Sequence, residues 1–342
     1  MNTKVVTFGE IMLRLSTPGH ERFAQARNFD VHFGGGEANV AVSLAQFGLE
    51  AHYVTRLPQN EIGDACISEL RRQGVRTSAV LRGGDRIGIY FLETGASQRP
   101  SKVLYDRSHS AIAEIRPGMV RWEEVFKDAK WFHVTGITPA LSASSAATTV
   151  EAVKAARQSG LRVSCDLNYR KKLWTREQAE KVMTDVVRSA DLVIANEEDA
   201  EMVFGIRAGE TNVQAGTLDV ARYRSVCEQI VKRFPNVRQV AVTLRESLSA
   251  SDNNWSAVLW DGTNFLESRK YSIRVVDRIG GGDSFAAGLI FGVVSGRSPQ
   301  DALEFAVAAS CLKHTIPGDF NSVSVGEVEA LINEGGSGRV QR

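Results

Sequence analysis

Short β-rich runs alternating with helical segments predict an α/β fold: a mostly parallel central sheet covered by helices on both faces. Two observations support this. Hydrophobic residues make up 43% and charged residues 24% of 342 residues, enough for a sizeable core. Helical patterns also end at glycines, Gly48 and Gly74, as helix C-termini commonly do.

The elements follow in order. KVVTF (4–8) is a β-type run, and residues 37–46 form an apolar helix. AHYVTR from Ala51 is β-like, and residues 64–73 are an amphipathic helix. The rhythm resumes with WFHVT from Trp131, a Ser/Ala-rich helix from about Ser142, and LRVSCDL from Leu161. After a helix from Thr175 come DLVIAN from Asp191, a further helix, and VRQVAVTL from Val237. Two stretches break the alternation, at about 13–33 and 86–106, where IGIYFLE and KVLYD read as antiparallel strands. They predict a small β flap, or lid, over the sheet's carboxyl edge, within one domain spanning 1–342. The polar stretch 207–217 reads as a surface loop and the tail 335–342 as disordered.

Composition excludes several classes. Lys+Arg number 41 against 40 Asp+Glu, a net charge of +1, which argues against a nucleic-acid partner. No apolar run is long enough for a membrane helix, and Glu10 and Arg14 interrupt the N-terminus too early for a signal peptide. Cys66, Cys165, Cys227 and Cys311 form no CxxC and read as reduced thiols of a cytoplasmic protein. No Gly-Lys dipeptide exists, so there is no Walker A loop; G-x-G-x-x-G and G-x-S-x-G are absent too. The six histidines are dispersed, which argues against zinc, and His133 reads as a core residue.

The strongest local signal is VVDRIGGGDSF (275–285) opening the small-residue helix AAGLIFGVV. Gly280, Gly281 and Gly282 leave backbone N–H groups unshielded at a helix N-terminus, an anion site suited to a transferring phosphoryl group. A carboxylate there is repulsive unless it accepts a proton, which makes Asp283 a candidate general base. On its own the triplet equally fits a tight turn with Asp283 as helix cap.

GGGD at the head of that helix, with GGGEANVA (34–41) near the N-terminus, resembles the ribokinase-like (PfkB) sugar kinases. Their usual signature is D-T-x-G-A-G-D. Asp277, Gly280, Gly282 and Asp283 stand in register, with Arg278 for the Thr and Gly281 for the Ala. The resemblance implies a ribokinase-like fold, ATP and Mg²⁺, and leaves room for a monovalent cation near Asp277. It implies that Gly34, Gly35 and Asn39 meet the sugar and that Asn196 to Asp199 form an N-x-x-E element, with Asp for the Glu. Asp199 would then act on hydrated Mg²⁺ through water. Thr243 keeps its place in the nucleotide loop, while Arg245 and Leu248 replace its glycines, so Arg245 is a candidate phosphate clamp. Val307 and His314 are assigned to the adenine by position, and Asn196 to the nucleotide side.

A sugar acid is argued from arginines. Asn168 and Arg170 follow a core strand at the carboxyl edge, and the flap supplies Tyr90, Tyr105 and Arg107. A guanidinium grips a carboxylate bidentately, so two arginines in the sugar half suggest an anionic substrate; each alone also fits a structural salt bridge. D-x-N-Y-R…LW, the flap motifs G-x-Y and Y-x-R, and TGITPAL (135–141) are similar to the 2-keto-3-deoxygluconate kinase branch of the family. That similarity implies phosphorylation of the terminal (6-) hydroxyl of 2-keto-3-deoxygluconate by ATP, with a neutral-sugar kinase such as a fructokinase, or a non-catalytic sugar-acid sensor, as alternatives. Exposed flap edges that pair between subunits imply a homo-oligomer.

Overall fold

Strand β1 (Lys4–Phe8) lies inside the main sheet, and every second side chain along it enters a different core: Val5 packs on one face, Val6 and Phe8 on the other. The computed structural model describes residues 3–196, 198–207 and 220–335. The polar stretch read as a loop and the tail read as disordered lie outside these residues, apart from Arg207 and Gly335.

The chain continues through β2 (Met12–Ser16), β3 (Asp30–Gly34), α1 (Gly36–Gln46), β4 (Glu50–Leu57), α2 (Glu61–Arg72), β5 (Val80–Arg82), β6 (Gly88–Glu93) and β7 (Lys102–Asp106). Then come α3 (Trp122–Phe126), β8 (Ala129–Thr135), α4 (Ala143–Gln158), β9 (Arg162–Asp166), α5 (Arg176–Val187), β10 (Leu192–Ala195), α6 (Asp199–Phe204) and α7 (Val220–Arg233). The last part holds β11 (Gln239–Ser247), β12 (Asp252–Trp260), β13 (Phe265–Glu267), β14 (Tyr271–Arg274), α8 (Gly281–Val294), α9 (Pro299–Lys313) and α10 (Val325–Glu334).

Among the described residues the main sheet has ten strands in the order β13-β12-β11-β10-β9-β8-β1-β4-β5, with β14 also on β12. Pairing is parallel from β5 through β11 and antiparallel among β11 to β14. Helices α1, α2, α8, α9 and α10 supply one apolar layer and α3 to α7 the other. The predicted mostly parallel sheet is therefore present, with an antiparallel edge that periodicity did not reveal. Capping sets the helix starts. Ser142 and Thr175 close reciprocal capping boxes with Ser145 and Gln178. Asn60 accepts from the Gly63 amide, so α2 begins three residues before the expected Asp64. The helix AAGLIFGVV packs tightly: a Cβ on Gly288 or Gly292 would run into Ala306 or Ala302 of α9.

The flap is a separate four-stranded sheet, β3-β2-β6-β7. β6 pairs antiparallel with β7, as expected, while β2 and β6 run parallel. Val31, Leu104 and Tyr105 are exposed on it. No described helix is long and apolar enough to cross a membrane. All four cysteines are buried and unpaired.

Candidate active site

A cleft of about 270 Å³ opens where the carboxyl ends of β8, β9, β10 and β11 meet the flap and the head of α8. That edge is where parallel α/β sheets leave backbone and loop side chains free to meet a ligand. Of the residues singled out in the sequence, Gly34, Gly35, Asn39, Tyr90, Tyr105, Arg107, Asn168, Arg170, Asn196, Asp199, Thr243, Arg245, Gly280, Gly282, Asp283 and His314 all line it.

At one wall, Gly280 takes the left-handed conformation (φ 83°) that caps α8, and Gly282 has open space where a side chain would stand. The first amides of a helix have no partner within it, so this turn points N–H groups into the cleft. Gly281 lies off the lining; a Cβ there would collide with the His314 imidazole. Asp283 follows in the first turn. Its carboxylate accepts from Asn39 Nδ2 at 2.7 Å. Burial pushes the Asp283 pKa up to about 6, against the Asn39 bond and the charges of Arg170 and Lys313. Asn39 Oδ1 accepts from the Gly35 amide at 3.2 Å, so both ends of this amide are already engaged. Asn39 thus holds Asp283 with one of its two Nδ2 hydrogens. Gly34 and Gly35 have a packing reason as well: a Cβ on them would strike Asp319 and the Glu10 carbonyl.

The sugar-side arginines differ. Arg107 Nη2 donates to the buried Glu10 carboxylate, and its guanidinium stacks 4.6 Å from the Tyr105 ring centre. Its salt-bridge role is therefore real, and the bidentate grip expected of it is half taken. Arg170 is partly exposed and donates to the Tyr169 carbonyl at 3.2 Å; burial raises the pKa of Asp166, Asp199 and Asp283, and the Arg170 charge offsets part of that rise. Tyr90 is buried, with its hydroxyl donating to Asp319 and its ring 5.9 Å from that of Tyr105. Asn168 adopts a left-handed backbone (φ 38°) and its amide donates to Asp166.

At the other end, Arg245 packs 5.8 Å from the Trp255 ring centre, and Arg278 donates to the Ala250 carbonyl. The segment expected to form a nucleotide loop is instead strand: β11 runs on to Ser247, with Thr243 opposite Ala257 and Arg245 opposite Trp255. Without the glycines of a loop, the chain keeps its ladder. His314 Nδ1 donates to the Ser310 carbonyl, and burial lowers its pKa to about 4, leaving it neutral. Val307, assigned to the adenine by position, is fully buried in the core and does not line the cleft.

The acidic side is Asp166, Asp199 and Asp283. The Asp199 oxygens accept the Tyr169 and Asn196 amides, and Asn196 Oδ1 accepts the Glu198 and Asp199 amides. Burial raises the pKa of Asp166 well above the usual carboxylate range, and the charges of Asp199 and Asp283 raise it further. No group of three or more His, Cys, Asp or Glu among the described residues closes a metal site by itself. Asp277 faces protein: Oδ2 accepts from Arg14 at 2.5 Å and from the Gly318 amide at 3.0 Å, and Oδ1 from Ile279.

Sequence reasoning missed Asp166, Trp255 and Asp319 as cleft residues. Asp166 heads the D-x-N-Y-R motif, so its signal was present. Trp255 lies on an unrecognised antiparallel strand, β12, and Asp319 follows a Pro-Gly turn with no periodic cue.

The model of the pfkB family carbohydrate kinase matches residues 2–324, and this chain belongs to that family. It is similar to a solved 2-dehydro-3-deoxygluconokinase from Thermotoga maritima at 51% identity and a TM-score of 0.93, covering 97% of this chain and 98% of that one. It is 32% identical to a 2-dehydro-3-deoxygalactonokinase of Haloferax volcanii, with 99% of each chain covered. A 2-dehydro-3-deoxygluconokinase of Bacillus subtilis is 28% identical, over 96% of this chain and 94% of the relative.

Proposed function

We propose that this chain transfers the γ-phosphoryl group of ATP to the terminal (6-) hydroxyl of 2-keto-3-deoxygluconate, giving 2-keto-3-deoxy-6-phosphogluconate and ADP. One observation carries the chemistry: Asp283, held by Asn39 at the head of the glycine-opened helix, faces a cleft with Asn168 and Arg170 at one end and Arg245 and Arg278 at the other. Asp283 removes the hydroxyl proton as the sugar oxygen forms its bond to the γ-phosphorus. The bond from that phosphorus to the β–γ bridging oxygen breaks, and its electron pair leaves with ADP. The helix-head amides receive the charge on the phosphoryl oxygens. A pKa near 6 keeps Asp283 mostly ionised at neutral pH while leaving it basic enough to act.

Arg170 binds the substrate carboxylate, with Arg107 supporting it across the Glu10 pair. Tyr90, Tyr105, Gly34 and Gly35 shape the sugar end. Thr243, Asn196 and His314 border the nucleotide, and Arg245 and Arg278 meet its phosphates. Asp166, whose ionised form burial and the neighbouring Asp199 and Asp283 disfavour, fits a hydrated Mg²⁺, which Asp166, Asp199 and Asn196 would hold through water. When bound, the ion supplies charge neutralisation to the phosphates. The residues near Asp277 do not fit a monovalent cation, since its carboxylate already faces the Arg14 guanidinium. Exposed Val31, Leu104 and Tyr105 on the flap support pairing of two copies, checked by light scattering. Four buried thiols without a disulfide support a reducing, cytoplasmic setting.

A coupled ADP-release assay tests the reading on 2-keto-3-deoxygluconate, its galactonate epimer, fructose and ribose. The 51% relative supports the gluconate form. The highest kcat/KM is expected on that acid; preference for fructose or ribose, or no ADP from any sugar, overturns it. Asp283→Asn is expected to lose on the order of 10²-fold or more in kcat. Arg170→Leu should lower kcat/KM on the acids far more than on fructose, and an equal loss would sink the carboxylate argument.

A further inference from the structure

Lys313 ends helix α9 with none of its surface exposed, yet it carries an ammonium group. Its Nζ donates to the Ile316 carbonyl at 3.1 Å. Its side chain runs beneath the glycine turn: a Cβ on Gly280 would lie 3.3 Å from Lys313 Cε. The charged groups that act on it are the carboxylates of Asp277, Asp319 and Asp283 and the guanidinium of Arg14. Arg14 in turn bridges Asp277 and Asp319, at 2.5 and 2.7 Å. Two fixed cations therefore sit among three carboxylates directly under the phosphoryl-binding turn. An alkali metal ion placed there would meet like charge from both and share acceptors they already use.

We infer that Lys313, with Arg14 behind it, is the resident cation of the glycine turn: it positions that turn and the Asp283 that follows it, so that no monovalent metal ion is required. This rests on the proposed role of Asp283. Lys313 acts through Gly280 and Asp283 and is a positioning residue. Burial lowers the Lys313 pKa, and the carboxylates of Asp277, Asp319 and Asp283 offset part of that cost.

The test uses the wild-type protein and Lys313→Met, which keeps the side chain out to Cε and deletes the charged Nζ. Wild-type ADP release and melting temperature are measured at constant ionic strength in potassium, sodium and tetramethylammonium chloride. Rates within about threefold and coincident melting curves are expected; greater activation, or a rise in melting temperature specific to potassium, overturns the inference. In Lys313→Met, kcat should fall on the order of 10-fold or more with the sugar KM little changed. The acid limb of its pH profile should move upward, because the remaining groups around Asp283 are Arg170, Asp166 and Asp319, two of them acidic. An unchanged kcat and acid limb would refute the role. Should that variant fail to fold, the wild-type ion series decides. If no sugar yields ADP, the phosphoryl-transfer reading has failed, and the melting curves still judge the cation inference.

Discussion

Replacing Asn39 by alanine deletes the one hydrogen bond that a side chain among the described residues donates to Asp283, the 2.7 Å contact from Nδ2. That bond favours the ionised carboxylate, so its loss must raise the pKa. A hydrogen bond to a charged group is worth about 1.5–3 kcal/mol, which at 1.36 kcal/mol per unit corresponds to roughly one to two units. From its present value of about 6, Asp283 would move to roughly 7–8. At pH 7 the ionised fraction would fall from about nine-tenths to between about a half and a tenth. The base works only when ionised, so kcat/KM at pH 7 should drop roughly two- to tenfold and recover by about pH 9. Coupled ADP release between pH 5 and 10 reads this directly. An acid limb that stays in place while the sugar KM rises at every pH would mean that Asn39 serves the sugar and not the base, and would refute the reasoning.

Two further predictions follow from neighbouring geometry. Gly282→Ala meets open space and should melt within a few degrees of wild type while losing activity, whereas Gly281→Ala drives a methyl into His314 and should lower both; equal melting of the two variants would contradict the packing account. Glu37 is fully buried on α1, with Oε1 accepting from the Thr135 amide and from the Thr135 and Thr138 hydroxyls. Burial pushes its pKa up to about 7. A raised folded pKa means the native state binds the extra proton, so this contribution is complete below about pH 4.5 and is lost as pH rises toward 7. The shift from 4.5 to about 7 corresponds to about 3 kcal/mol. Glu37→Gln should therefore flatten the fall in urea stability between pH 5 and 8, and an unchanged slope would show that Glu37 is not its source.

Much of this molecule is written in local pattern. Parallel strands buried on both faces must be near-continuous apolar runs, so β1, β8, β9 and β10 are visible in sequence, as are the helices whose caps are Ser142 and Thr175. The glycine-headed helix and Asp283 are equally legible, because a bare turn beside a carboxylate is a local chemical statement. What the sequence left open are partnerships. Arg107 reads the same whether it faces a substrate or Glu10, and those two residues are separated by most of the flap. Asp277 reads as an ion ligand until Arg14 arrives from strand β2 to occupy it. Only the packing of α9 beneath the Gly280 turn makes Lys313 a buried charge. Local sequence determined which groups can carry charge and which backbone can bind phosphate. The tertiary structure alone decided which charges neutralise one another, because Coulomb pairing depends on distance through space and not along the chain.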